Sequence, residues 1–487
     1  MKKGYPIGVI IVLASVLAST RAQGQVGGEM SASGQQPVQP ATPAGEGNSA
    51  MDNLPLSAVD KQSLAPNSTT RSVLIPGLEV SQGVDSNASS TGASSLQGVI
   101  RVLGSLSMQS VWRRQAFDLA YVGVGSFYSV EGSPGQLPSV MQEHQVIAEH
   151  RILWRSGQLT FHDSFSYLPE GSFGNGAFGG TGNLIGISLP GIGLQPGIGD
   201  TGSSFFGSGG FGSLGQQPRI TNITMADVIQ ELTPRSSFTL AGSYGVVHFT
   251  GNASSSVNSQ QVSTVNSQQV STQAGYNYQL TRRDQIGIIY GFQSFRYPTS
   301  IGKFTTHLAN VLYGHRIAER LDLIVGGGPQ ATRIDGPAFG TSWTISASGQ
   351  ASLRLQVRKT SLALQYERYN TSGSGLFGGA LSDVVSLSAA RPFGRHWGAT
   401  VDLGYTRNSR ILPVTIGTSS REYSYVYGGG TLHRQIGHNF GVYVSYQYNQ
   451  QLFDSSFCAP GSPCDRPLPR QMGLVGLDWH PNPAPLH

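Results

Sequence analysis

The sequence predicts an all-β fold: a transmembrane, antiparallel, up-and-down β-barrel of about 18 strands, with 16 as the alternative, behind a signal peptide and a disordered linker. Three observations predict it. Charged residues make up only 12% of the 487 residues and hydrophobic ones only 38%. That is too little charge for an ordinary soluble domain and too little apolar content for a helical membrane protein. From about residue 73 onward, long segments alternate apolar and polar side chains. Between them, short turns alternate with long connections rich in Gly, Ser and Pro, the punctuation of a barrel with short periplasmic turns and long outer loops.

Residues 1–22, MKKGYPIGVIIVLASVLASTRA, have the form of a secretory signal peptide. Lys2 and Lys3 lead, Ile7 to Ala18 form the apolar stretch, and Thr20 and Ala22 are the small residues before Gln23. The apolar run is shorter than the ~18 residues a spanning helix wants, and no Cys follows it to carry a lipid. No other run could cross a bilayer as a helix, so a membrane form of this chain must cross as strands. Without Lys2, Lys3 and Arg21 the formal net charge falls from +5 to +2, too small to point to nucleic acid.

Residues 23–72 are rich in Gln, Gly, Pro, Ser and Ala, with few aromatics and no period. They read as a disordered periplasmic lead-in that buries no core. The barrel is assigned to 73–487. In 397–406, Trp397, Ala399, Val401, Leu403 and Tyr405 share one face, with Gly398, Thr400, Asp402, Gly404 and Thr406 opposite. In 440–449, Phe440, Val442, Val444, Tyr446 and Tyr448 line one side. In 343–357 the polar face is Thr344, Ser346, Ser348, Gln350, Ser352, Arg354 and Gln356; 285–293 and 361–367 behave alike. Side chains two apart share a strand face, so each strand has one apolar and one polar wall.

A soluble sandwich also alternates. Here the alternating runs are longer than the usual strand of about 5–6 residues and match the ~9–11 tilted residues of a membrane strand plus overhang. The short turns fall at 113–115, 155–157, 233–236, 281–284, 317–320, 358–360, 392–396 and 435–438. Most carry Arg or Lys, and Trp112, Trp154 and Trp397 flank them where an interfacial girdle belongs. The punctuation places strand centres near residues 81, 104, 122, 148, 163, 225, 243, 273, 290, 308, 326, 350, 365, 386, 402, 427, 445 and 474. The first strand and the 301–316 segment alternate poorly, which keeps 16 strands open.

Several features bear on chemistry. The longest connection, 171–217, is Gly-rich and contains PGIG twice. It reads as a loop that either folds inward and narrows the barrel or lies on the surface, and no helix follows it to make a nucleotide fingerprint. Residues 257–264 and 265–272 are both VNSQQVST, a duplication that an exposed loop and strand tip tolerate. Arg101, Glu149, Arg151, Arg354, Glu367 and Asp402 fall on the polar faces and are the candidate pore-lining charges. Asp163 shares a face with Phe161 and Phe165, which should meet lipid. Cys458 and Cys464 are the only cysteines; in an exported chain they fit one local disulfide, with no further ligands nearby for a metal. His162, Asp163 and Ser164 do not make a hydrolase site, because neighbours on a strand point to opposite faces. There is no nucleophile elbow and no H-E-x-x-H, so no catalytic, cofactor or metal residues are assigned.

The last strand, QMGLVGLDWH, sets Gly473, Val475, Leu477 and Trp479 on one face and is similar to the closing assembly signal of bacterial outer-membrane barrels. It departs from that signal by continuing through HPNPAPLH. With its opening strand PGLEVSQGVDSN and paired hairpins, the chain resembles the large porin-like barrels of Gram-negative bacteria over about 73–480. The resemblance is architectural and carries no functional residue across. It implies the outer membrane and a porin-like channel for small hydrophilic solutes. The alternatives are a closed surface-interaction barrel or a polysaccharide exporter component. The partners it implies are outer-membrane lipid and lipopolysaccharide and the barrel assembly machinery, with a homo-oligomer open.

Overall fold

Alternating strands that expose apolar side chains on one face can satisfy every backbone group only by pairing on both edges, and a closed ring is the solution without edges. The computed structural model describes residues 55–58, 72–86, 96–128, 140–168, 219–250, 266–298, 302–336, 340–357, 359–373, 379–411, 422–453 and 468–485, all within one compact unit. It has eighteen long strands: β1 Val73–Asp85, β2 Gln97–Val111, β3 Gln115–Tyr128, β4 Val140–Trp154, β5 Gly157–Leu168 and β6 Arg219–Thr233. Then come β7 Ser236–Phe249, β8 Ser267–Gln279, β9 Asp284–Tyr297, β10 Gly302–Ala318, β11 Leu321–Gly336 and β12 Gly340–Val357. The last six are β13 Thr360–Thr371, β14 Ala380–Phe393, β15 Trp397–Arg410, β16 Glu422–Ile436, β17 Phe440–Phe453 and β18 Leu468–Trp479. Each pairs antiparallel with its sequence neighbours, and β1 pairs with both β2 and β18, so the ring closes.

Every expected strand centre falls inside an observed strand, and the count is 18 rather than 16. The 301–316 segment is the continuous strand β10. It alternates poorly because its inward positions are apolar too: Phe304, Leu308 and Leu312 are buried there. The tail past Trp479 does not simply trail away, since Ala484 and Pro485 pair with Leu74 and Val73 of β1.

The short turns lie at one end, the periplasmic end by the rule for such barrels. Gly394 and Gly437 sit in two of them at φ of +65° and +68°, a left-handed conformation that costs a side-chain-bearing residue energy and glycine little. The outward face is an apolar belt of exposed side chains that includes Val80, Ile100, Leu240, Ile288, Val311, Val401, Val444 and Leu477. Aromatics bracket it. Trp112, Trp154, Phe393, Trp397, Phe440 and Trp479 ring the short-turn end, and Tyr244, Tyr290, Tyr366, Tyr405 and Tyr446 stand higher on the strands. Trp397 and Tyr405 are separated along one strand by about 20 Å of barrel height, for ~3.3 Å per residue at a tilt of ~40°. That approaches the ~25 Å apolar band of membrane barrels. Arg391 lies over the Phe393 ring and Arg434 over Trp397, each with its guanidinium carbon 5.2 Å from the ring centroid, as cations do at an interface where aromatics meet headgroups.

The lead-in is not featureless. Residues Pro55–Ala58 form a turn closed by the Ala58 N–H donating to the Pro55 carbonyl at 2.9 Å, with Leu56 and Ser57 buried. Within the lead-in expected at 23–72, Leu56 supplies an apolar anchor and Ser57 a set of hydrogen bonds. The 171–217 loop, Cys458 and Cys464 with the disulfide expected between them, and the first VNSQQVST copy lie outside the described residues.

Candidate functional site: the inner wall of the barrel

The period of two that turns apolar side chains outward turns the other set into the ring. Arg101 on β2, Glu149 and Arg151 on β4, Arg354 on β12, Glu367 on β13 and Asp402 on β15 all sit on the inward-facing register. Each alternates with outward apolar neighbours such as Ile100, Val102, Leu364, Tyr366 and Val401. Among these six, Arg151 donates to Glu149 at 2.6 Å. Arg101 faces Glu143 instead, at 3.8 Å. Arg354, Glu367 and Asp402 stand on the far arc, away from the β2–β4 group.

Strand register assembles a row that no stretch of sequence displays. Gln109 of β2 is opposite Asp118 of β3, Asp118 is opposite Glu149 of β4, and Glu149 is opposite His162 of β5. Directly opposed residues have Cβ atoms about 4.5–5.5 Å apart, so two carboxylates, an imidazole and the Arg151 guanidinium share one level of the inner wall. Asp163, next to His162, points outward, where Thr224 and Asn222 donate to it.

The inward charges are unevenly spread. On the arc from β18 through β1 to β6 stand Glu79, Asp85, Asp118, Glu143, Glu149, Asp227 and Asp478, with Arg101, Arg151, Arg219 and Arg470 among them. Arg470 clasps Asp85 through Nε at 2.9 and 3.0 Å and through its terminal nitrogen, and His433 approaches Asp478 at 3.2 Å. The inner faces of β7, β8 and β9 carry hydroxyls and amides and no charge: Thr239, Ser243, Gln269, Ser271, Gln273, Asn277 and Gln293. The wall is not polar throughout. Leu103, Ala120, Val122, Val124 and Ile147 of β2–β4 pack with Tyr443 as an apolar patch. The alternation that locates outward residues is blind to such a patch, because both faces of these strands are then apolar.

At the end away from the short turns, the β13–β14 hairpin leaves the wall. Pairing between β12 and β13 stops at Gly349 and Arg368, while β13 and β14 stay paired to Thr371 and Ala380. Asn370 and Ser372, at the described end of β13, lie against the inner face of β9–β11. The Asn370 amide donates to Thr306 at 2.9 Å and Thr332 at 2.8 Å, and the Tyr297 hydroxyl donates to the Ser372 carbonyl at 3.0 Å. Ile411, just past β15, packs on the Phe295, Tyr297, Phe304 and Ile334 cluster. The described end of this hairpin therefore contacts the inside of the ring, a feature without a signal in the sequence. The opposite rim is basic: Arg113, Arg114, Arg155, Arg235, Arg282, Arg283, Arg320, Lys359 and Arg395 are exposed in the short turns.

No protein-family model matches the chain, and no curated protein matches it in sequence. Among solved structures, it is similar to OpdK of Pseudomonas aeruginosa, solved with vanillate, at 10% identity and a TM-score of 0.39, covering 84% of this chain and 98% of that one. The BenF-like porin of Pseudomonas fluorescens Pf-5 is similar at 9% identity and a TM-score of 0.38, covering 85% and 98%. OccAB3 of Acinetobacter baumannii is similar at 10% identity and a TM-score of 0.40, covering 84% and 98%.

Proposed function

We propose that the chain is an outer-membrane channel for passive diffusion of small hydrophilic solutes. One observation carries the reading: a single chain closes a ring whose outward face is an apolar belt between aromatics and whose inward face bears ion pairs, hydroxyls and amides. A ring of this strand number has an interior too wide for wall side chains to fill, so water is its natural content. The mechanism is sieving by width, with a bias from fixed charge. The acid-rich arc from β18 to β6 favours cationic groups, and the basic rim favours anions at the periplasmic mouth. Outer-membrane lipid, lipopolysaccharide and the barrel assembly machinery are the partners this reading requires.

The inward-folded β13–β14 tip favours a second reading, a barrel held shut that acts through its outer surface. Single-channel recording of the refolded protein in a planar bilayer separates the two. Stable conductance steps support the channel. A folded, inserted and silent protein overturns it in favour of the closed barrel.

A further inference from the structure

The uncharged wall of β7–β9 has an occupant, and it comes from the protein itself. The Pro55–Ala58 turn lies against it with every polar atom of Ser57 engaged. The Ser57 N–H donates to Asn277 Oδ1 at 2.8 Å, and the Asn277 amide donates back to Ser57 Oγ at 2.5 Å. Gln273 Nε2 donates to the Ser57 carbonyl at 2.8 Å. Thr239 Oγ1 lies 2.6 Å from Ser57 Oγ and 3.1 Å from the Ser57 carbonyl. Ser57 is 1% exposed.

Beside it, Leu56 enters an apolar notch of Ile289 and Leu312, with Ile324 packed against them. The wall is shaped for this turn. Gly275 stands between Thr239 and Asn277, and a Cβ there would overlap the Ser57 side chain; a Cβ at Gly287 would meet Leu56 Cβ at 3.4 Å. Three donor or acceptor side chains and a bare glycine on β7 and β8, beside an apolar notch on β9 to β11, make a site complementary to a short peptide turn.

The placement matters because of where the chain goes next. Ser72 is fastened at the short-turn rim, its hydroxyl accepting from the Val111 N–H at 3.1 Å. Six strands of the ring, β2 to β7, lie between β1 and β8. The turn is therefore anchored on a wall far from the strand it precedes, and on the inside.

We propose that the inner face of β7–β9 is a peptide-binding site that takes a Leu-Ser turn, and that residues 55–58 occupy it in cis as an internal ligand of the lumen. Leu56 is the anchor, Ser57 the hydrogen-bonding residue, and Asn277, Gln273 and Thr239 the reading groups. This goes beyond the channel reading and is testable apart from it.

The experiment is thiol labelling of the full refolded chain carrying S57C, with Cys458 and Cys464 replaced by Ser, using a water-soluble maleimide. Folding is scored by strand circular dichroism and heat-modifiable gel migration. With the wall intact, S57C labels slowly. In a second protein, Gly275→Val is added to fill the floor of the site; in a third, Leu56→Asp removes the anchor from a residue that takes no part in strand pairing. Undocking the turn exposes the thiol, and labelling on the order of tenfold faster or more is expected in both. Equal and fast labelling in all three overturns the proposal, as does slow labelling that Leu56→Asp leaves unchanged. If Gly275→Val does not fold, the Leu56→Asp comparison decides. A silent channel with protected S57C would overturn the proposed function and leave the docking site standing.

Discussion

The Thr224 hydroxyl donates to the Asp163 carboxylate at 2.5 Å on the outward face of the barrel, where the Asn222 amide also reaches it at 3.3 Å. Asp163 sits six residues above the turn that opens β5, among Phe161 and Phe165. A carboxylate facing lipid at this height is costly unless its lone pairs are filled, and the two donors on β6 fill them. Thr224→Val removes the stronger donor and is expected to destabilise the barrel by about 1–3 kcal/mol in lipid vesicles. Asp163→Leu in the Thr224→Val background should recover most of that loss. A double-mutant cycle on guanidinium unfolding measures it, and a coupling energy near zero would show that the pair does not act as a unit.

Arg470 and Asp85 hold the seam where the last strand meets the first. The pair is 1% and 0% exposed, and its members lie at the outer ends of β18 and β1, next to the register contact of Asp85 with Met472. Breaking a buried pair from one side leaves an uncompensated charge, at about 3–5 kcal/mol, whereas replacing both partners with apolar side chains is often neutral. Arg470→Met is thus expected to lower the unfolding midpoint and slow barrel closure during refolding. Arg470→Met with Asp85→Leu should refold near the parent rate. If the single and double variants lose the same stability, seam closure does not depend on this pair.

The strands and turns were legible because a membrane wall imposes a period of two and a turn imposes Gly, Arg and short length. WGATVDLGYT states its own orientation: Val401 and Tyr405 face out while Asp402 sits on the inward register. The site was much less legible. Asp118 and Glu149 are 31 positions apart in the numbering and become opposite partners only through the β3–β4 register, which local pattern does not report. β10 alternates poorly because Phe304, Leu308 and Leu312 make its inward face apolar as well. The Pro55–Ala58 turn sat in a stretch whose composition argues against a core, and composition is silent about four residues whose partners are more than 180 positions away. The inward tip of β13–β14 depends on Asn370 finding Thr306 and Thr332, a tertiary fact alone.

The basic rim gives the proposed channel a measurable sign. Arg282 and Arg283 are exposed in the turn between β8 and β9, beside Arg235 and Arg320 in neighbouring turns. Fixed cations at a pore mouth concentrate anions, and salt screens them over a Debye length of about 10 Å at 0.1 M. Replacing Arg282 and Arg283 with Glu should move the cation-to-anion permeability ratio towards cations by about twofold at 0.1 M salt. The shift should fade at 1 M, where the Debye length is ~3 Å. Reversal potentials across a salt gradient read it. A ratio that stays fixed would place the selectivity deeper, at the Asp118, Glu149 and Arg151 level.

The described end of the β13–β14 hairpin makes the last test, because named hydrogen bonds tie it to the inner wall. Asn370 supplies two of its hydrogen bonds to the wall, and the Tyr297 hydroxyl supplies another. Asn370→Ala leaves Thr306 and Thr332 able to pair with each other, since their hydroxyls already lie 3.3 Å apart, so the wall itself should not suffer. The tip loses two anchors at about 1 kcal/mol each. That is enough to raise the population of a detached tip by roughly tenfold or more, by the same arithmetic. Current through Asn370→Ala should flicker to larger sub-states or rise in mean level, and Tyr297→Phe should act in the same direction more weakly. If both variants conduct as the parent does, the hairpin is not the element that limits flow. The narrowing must then come from elsewhere in the lumen, with the docked 55–58 turn the next place to cut.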